Sequence, residues 1–134
     1  MTPVTISRQI LDCLTKQAKA SPKLRVNLDL RNSQEDKSQR MLNAIEPGSQ
    51  MAIHRHRHTS ETVVCLRGRV VEEFYDELDR ICTDAIEISP VGPVVAVNVP
   101  IGQWHRLRSL ESGSVVLSCK DGPWEPVSPA DILS

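Results

Sequence analysis

One stretch limits what this chain can fold into. From Gly48 to Gly68 it reads Gly48-Ser49-Gln50-Met51-Ala52-Ile53-His54-Arg55-His56-Arg57-His58-Thr59-Ser60-Glu61-Thr62-Val63-Val64-Cys65-Leu66-Arg67-Gly68, with histidines and a glutamate between two glycines. On a β-strand successive side chains point to opposite faces, so His54 and His56 project to the same side with about 7 Å of strand between them. Both imidazoles can then reach one ion. After a turn over 57–60, Thr62 to Arg67 reads as a second strand that carries the Glu61 carboxylate back beside the histidines.

A further ligand is expected from Pro100-Ile101-Gly102-Gln103-Trp104-His105, where proline and glycine build a tight turn that delivers His105 onto a returning strand. Three imidazoles and one carboxylate, His54, His56, His105 and Glu61, then converge. His58 would share their face only if the strand stays regular. The glycine and glutamate spacings favour His54 and His56, which leaves His58 beside the ligands or at the rim, within reach of a bound molecule.

This pattern resembles the two motifs of the cupin superfamily, G-x5-H-x-H-x4-E-x6-G and G-x5-P-x-G-x2-H-x3-N. The first fits at every specified position; the second departs at Val94 and Ser109 and keeps Pro100, Gly102 and His105. Arg25-Val26-Asn27-Leu28, Gln39-Arg40-Met41-Leu42-Asn43-Ala44, the histidine run and Lys120-Asp121-Gly122-Pro123-Trp124 are similar to the WbuC-type cupin-fold metalloproteins of bacterial polysaccharide gene clusters. That resemblance implies an all-β fold, a small jelly-roll-like β-barrel with a metal near one mouth, and a homodimer. It also points to Arg25, Arg40 and Lys120 as groups that face the bound small molecule. It names no reaction.

Imidazole and carboxylate without thiolate suit one divalent ion of Fe, Mn, Ni, Co, Cu or Zn. A six-coordinate ion would keep two positions for water, substrate or O2, which is what catalysis needs. Because ligating histidines must be neutral, metal binding is expected to weaken as pH falls below the ordinary imidazole value near 6.5.

The 134 residues suit one domain, and their formal charge of −1 offers no electrostatic case for nucleic acid. No run approaches the roughly 18 apolar residues of a membrane span, and the N-terminus lacks a basic segment followed by an apolar core, so a soluble cytoplasmic protein is expected. The four cysteines, Cys13, Cys65, Cys82 and Cys119, lack C-x-x-C spacing and read as reduced, mostly buried thiols. Cys65 shares the face of Glu61, four residues on, and reads as a small core hydrophobe.

Ile6, Ile10, Cys13 or Leu14 and Ala18 recur at helical spacing, giving a short N-terminal helix closed by Ser21-Pro22 that covers a barrel end or a partner chain. Strands are expected over Leu24–Leu30, Gln39–Glu46, Val70–Tyr75, Ile81–Ile88, Val94–Val99 and Gly113–Lys120, as successive antiparallel neighbours, with a charged hairpin tip at Asp76–Arg80. Residues 1–22 form the helix, 23–122 the barrel and 123–134 a proline-rich tail that cannot pair as a central strand. Arg55, Arg57, Arg106 and Arg108 fall on the strand faces opposite the ligands and read as solvated charges. Trp104 reads as packing, and Trp124 either caps the pocket or buries itself.

With the resemblance, these features imply a metal-binding cupin expected to act on or bind a small carbohydrate-like or carboxylate metabolite, with isomerase, epimerase and dioxygenase activity all open. The other reading is a non-catalytic binding or sensing barrel.

Overall fold

A computed structural model describes residues 2–78 and 80–133, so Met1, Ser134 and the Asp79 position of the expected hairpin tip lie outside the described residues. Helix α1 spans Arg8–Ala20, and the Ser7 hydroxyl accepts from the Ile10 N–H at 3.3 Å, satisfying one of the donors that a helix start leaves open. Ten strands follow: β1 (Arg25–Asp29), β2 (Ser38–Ile45), β3 (Ile53–His54), β4 (Glu61–Arg67), β5 (Val70–Tyr75), β6 (Cys82–Ile88), β7 (Ala96–Val99), β8 (Trp104–Ser109), β9 (Val115–Asp121) and β10 (Ile132–Leu133). They form two five-stranded antiparallel sheets, ordered β1-β2-β9-β4-β7 and β10-β3-β8-β5-β6. The fold is the small cupin jelly roll.

Alternation along the strands decides what lies between the sheets. Ile45, Val63, Cys65 and Val116 from the first sheet meet Val70, Ile88 and Leu107 from the second in one buried cluster. Leu42, Ala44 and Val115 point the other way and are covered by Leu11, Leu14 and Ala18 of α1. The helix therefore packs on the outer face of the first sheet and does not close a barrel end. That sheet carries apolar residues on both faces, and only a covering element can bury the second one. Arg67 ties the two layers, donating to Asp12 at 2.5 Å and to the Thr15 hydroxyl at 2.9 Å on α1.

Strand limits agree with the sequence reading to within a few residues, but their order does not. β7 pairs with β4 and lies in the opposite sheet from β6, because the loop through Pro90 and Pro93 carries the chain across. The final strand is β10, not β9: Ile132 and Leu133 pair with His54 and Ile53 at a sheet edge. Of the cysteines only Cys65 is buried. Cys13 and Cys82 are exposed and Cys119 is half-buried, since Cys13 lies off the apolar stripe of α1 and Cys119 is on the outer face of β9; all four are free thiols. Burial pushes the Cys65 thiol up to about 11, which keeps it protonated and inert in the core.

Candidate metal centre

The second sheet brings His54, His56 and His105 together. His54 and His105 are cross-strand partners of β3 and β8, and the ring centroids of the three imidazoles stand 4.5–5.7 Å apart. One ligand nitrogen from each lies within 4.8 Å of the others. Regular strand ends at His54, two residues short of the expected arrangement, which carried it through His56. His56 nevertheless stays aligned: the Arg55 N–H donates to the Asp131 carbonyl at 3.0 Å, and the His56 carbonyl accepts from the Gly102 N–H at 2.8 Å. That second bond joins the histidine segment to the turn that delivers His105.

Glu61 opens β4 on the facing sheet. Its Oε1 lies 3.8 Å from both His56 Nε2 and His105 Nε2. Glu61 thus stands beside two of the three imidazoles, while the ligand atoms that all lie within 4.8 Å of one another are those of the three histidines. The other carboxylate oxygen, Oε2, is held by the Ser118 hydroxyl and by Lys120 Nζ at 3.4 Å. Burial alone would raise the Glu61 carboxyl, but Lys120, Ser118 and the histidines outweigh it and hold the group below its ordinary value. It is therefore an anion, as a ligand must be.

The histidines are set up the same way. His54 Nδ1 lies 2.9 Å from the Ala52 carbonyl, and His105 Nδ1 lies 2.5 Å from Glu72 Oε1; donation from these nitrogens turns both Nε2 lone pairs toward the cluster. His105 Nε2 is buried and has no hydrogen-bond partner among the described residues. A buried, unpaired acceptor is costly, and a bound cation removes that cost. Burial lowers His54 below the ordinary imidazole value and takes His56 to about 4, so both are neutral at pH 7.

Glu72 is the site residue that the sequence reading missed. It lies on β5 behind His105 and is almost wholly buried; burial pushes its carboxyl up, against the pull of the His105 hydrogen bond. The only sequence signal is parity: Glu72 is a charged residue two positions from Val70 on a core-facing register. Groups that orient metal-bound histidines in this way typically carry 10–100-fold in metal affinity. Glu72→Gln is accordingly expected to weaken metal binding by about that factor, read by competition against a chelator.

A cavity of about 480 Å3 opens beside the cluster, reached by His56, His58 and Lys120. Of the other groups expected to face a bound molecule, Arg25 and Arg40 are not brought there. Arg25 pairs with Ile45 while Lys120 pairs with Gln39, six positions along β2 or about 20 Å of strand, and its guanidinium is bonded to the Gln50 carbonyl at 2.7 Å. Arg40 alternates to the outer face and donates to the Ser38 and Leu30 carbonyls. His58 is exposed at the rim. Arg55 and Arg57, expected as solvated charges, both donate through Nε to Asp131 Oδ1, at 2.8 and 2.6 Å, and line the cavity. Arg106 and Arg108 do face outward, onto Glu73. Trp104 is buried, with the Arg55 guanidinium 4.5 Å above its ring, and Trp124 lines the cavity without burying itself.

Residues 6–86, more than half of the chain, match the family described as "Domain of unknown function (DUF6016)". The chain belongs to the DUF6016 family. No curated protein matches this DUF6016 chain in sequence. Among solved structures it is similar to KdgF from Halomonas sp., at 15% identity and TM-score 0.60 over 78% of this chain and 84% of that one. It is also similar to BH2720 from Bacillus halodurans, at 17% identity and TM-score 0.59 over 95% and 86%. An oxalate oxidase in complex with glycolate gives TM-score 0.64 at 11% identity over 81% of this chain, which spans a little over half, 56%, of that protein. These likenesses establish the cupin fold. Among the described residues no helix is long and apolar enough to cross a membrane.

Proposed function

We propose that this DUF6016 chain is a metal-binding cupin in which His54, His56, His105 and Glu61 hold one divalent ion and present it to a small carboxylate or carbohydrate-like metabolite in the adjoining cavity. The observation that carries the reading is the buried, unpartnered His105 Nε2, aimed at a cluster whose other members are oriented and charged as ligands. A divalent ion held there supplies Lewis-acid or redox chemistry to an oxygen-bearing ligand. The chain's own contribution is positional. Ser118 and Lys120 fix the Glu61 carboxylate, Ala52 and Glu72 fix two imidazoles, and Lys120 also lines the cavity, where its ammonium can pair with an anion.

Isomerase, epimerase and dioxygenase chemistry all fit that arrangement, and the similarity of the chain to WbuC-type proteins supports a place in bacterial polysaccharide biosynthesis, as a homodimer in the cytoplasm. A non-catalytic sensor is the second reading: apart from the proposed ligand His56 and the carboxylates Asp121, Glu125 and Asp131, the cavity-lining side chains able to move a proton are Lys120, which bonds Glu61, and the rim residue His58. Elemental analysis of untagged protein tests the first step. Near-stoichiometric metal supports the reading, and none after reconstitution with Fe, Mn, Ni and Zn sinks it. Turnover of candidate substrates separates enzyme from sensor.

The pH dependence is shifted from the sequence expectation. Because His56 takes a proton only near pH 4 in the folded chain, metal should be retained well below pH 6.5 and released toward pH 4. The linkage has the same sign for the metal-free fold. Between about 6.5 and 4 the unfolded chain binds a proton at His56 that the folded chain refuses, so stability present above 6.5 declines through that window. Metal content after dialysis across pH 4–8 measures the first effect, and release complete by pH 6 contradicts it.

A further inference from the structure

The cavity beside the cluster has two unlike walls. The barrel side presents His56, Lys120 and Arg57; the tail side presents Pro123, Trp124 and Val127. Trp124 is 51% exposed, large and apolar, in a cavity whose other wall is polar. An indole left uncovered in such a place offers a flat face for the apolar side of a ring.

Arg57 provides the second half of the site. It bonds Asp131 Oδ1 through Nε alone, its side chain is 49% exposed, and its terminal amino groups donate to no other group among the described residues. Asp131 is itself held: Arg55 donates to the same oxygen, the Ser128 hydroxyl lies 3.2 Å from Oδ2, and the next two residues are tied into the second sheet as β10. The guanidinium plane of Arg57 is thus fixed at one edge, with its other edge free to take two oxygens of one anion. At about 480 Å3 the cavity exceeds the needs of a bare inorganic anion and suits a six-membered ring with substituents.

We propose that this cavity binds a cyclic sugar acid, with Arg57 pairing its carboxylate and Trp124 covering one face of its ring. The inference rests on the metal-binding reading above and names the ligand class of the same site. Asp131 acts through Arg57, as a positioning residue, and the tail becomes a wall of the binding site.

The test uses the full chain loaded with the ion that elemental analysis finds. Binding of glucuronate, gluconate and glucose is followed by calorimetry and by indole fluorescence. Gluconate keeps the charge without the ring, and glucose keeps the ring without the charge. The chain has two tryptophans, and Trp104 is buried, so a fluorescence response reports Trp124. Glucuronate is expected to bind saturably, glucose at least about tenfold more weakly for want of the charge-assisted pair, and gluconate about threefold to tenfold more weakly for want of the ring face. Arg57→Gln should weaken glucuronate about tenfold or more. Trp124→Ala should cost about threefold to tenfold, and Trp124→Phe should restore most of it. Among the described residues the Arg57 side chain bonds Asp131 and no histidine, and Trp124 bonds none, so metal content should stay at the wild-type level in every variant. Absence of saturable glucuronate binding, equal binding of gluconate, or an unchanged affinity in Arg57→Gln or Trp124→Ala overturns the inference while leaving the metal reading intact. Wild-type protein that takes up no metal overturns the reading beneath it.

Discussion

His56→Ala leaves the protein folded and strips it of metal. His56 is half-buried at the cavity side, and its removal takes away one ligand without orphaning a buried partner, since its closest charged neighbour, Glu61 Oε1, lies 3.8 Å away and Glu61 keeps Ser118 and Lys120. Losing a direct ligand should exceed the 10–100-fold typical of an orienting partner, so affinity is expected to fall by more than about a hundredfold. His105→Ala gives the same metal loss with a further effect. It leaves the Glu72 carboxyl buried without the donor that Oε1 now has, and Oε2 already lacks a partner. An unpaired buried polar group costs about 1–3 kcal/mol, more if charged, so this variant should also melt earlier than His56→Ala. Metal content by elemental analysis and Tm by calorimetry separate the two. Full metal retention in both variants would falsify the assignment of these imidazoles as ligands.

Gly68→Ala is expected to be the most destabilising single-methyl change in the chain. Gly68 sits between β4 and β5 with φ +83°, and a Cβ there would lie 2.3 Å from Ser114 Oγ and 2.7 Å from Ser114 Cα. Backbone cannot swing aside as a flexible side chain does. Ser114 is also committed, donating to the Glu111 carbonyl at 2.6 Å and accepting from the Arg69 N–H at 3.1 Å. The left-handed conformation costs alanine about 1–2 kcal/mol. Overpacking adds about 1–3 kcal/mol. For a domain of this size the sum lowers Tm by roughly 10 °C. Gly102→Ala is the internal control: φ is +77°, but nothing lies within 4 Å of the added carbon, so only the conformational cost applies. Equal melting shifts for the two variants would show that close packing at Ser114 contributes nothing.

The proposed ligands were readable from sequence because their spacing is local and periodic. Two residues apart on a strand means one face, and a proline and glycine before His105 mean a turn, whatever the rest of the chain does. An N-terminal helix with Leu14 and Ala18 on its buried face was readable for the same reason, but Ile6 falls outside it and is exposed, Leu11 takes its place in the stripe, and the helix lies on the outer face of the first sheet. Arg25 and Arg40 show where local reasoning ends: alternation places Arg40 on the outer face only once β2 is known to set Gln39 inward, and the distance of Arg25 from Lys120 depends on register along three paired strands. Arg57 shows the converse, since alternation alone made it a solvated charge and only the return of the tail made it part of a cavity wall.

Alternation and spacing by themselves determined a mostly β chain with an N-terminal helix and set His54 and His56 on one strand face, because both follow from rules of short range; the jelly roll was what the resemblance to the cupin superfamily implied. Tertiary structure alone decided which sheet each strand joins, that Glu72 stands behind His105, and that Asp131 draws Arg55 and Arg57 to a tail ending in an edge strand. Those features rest on contacts between residues tens of positions apart, and such contacts are set by how two sheets and a covering helix bury their apolar faces together.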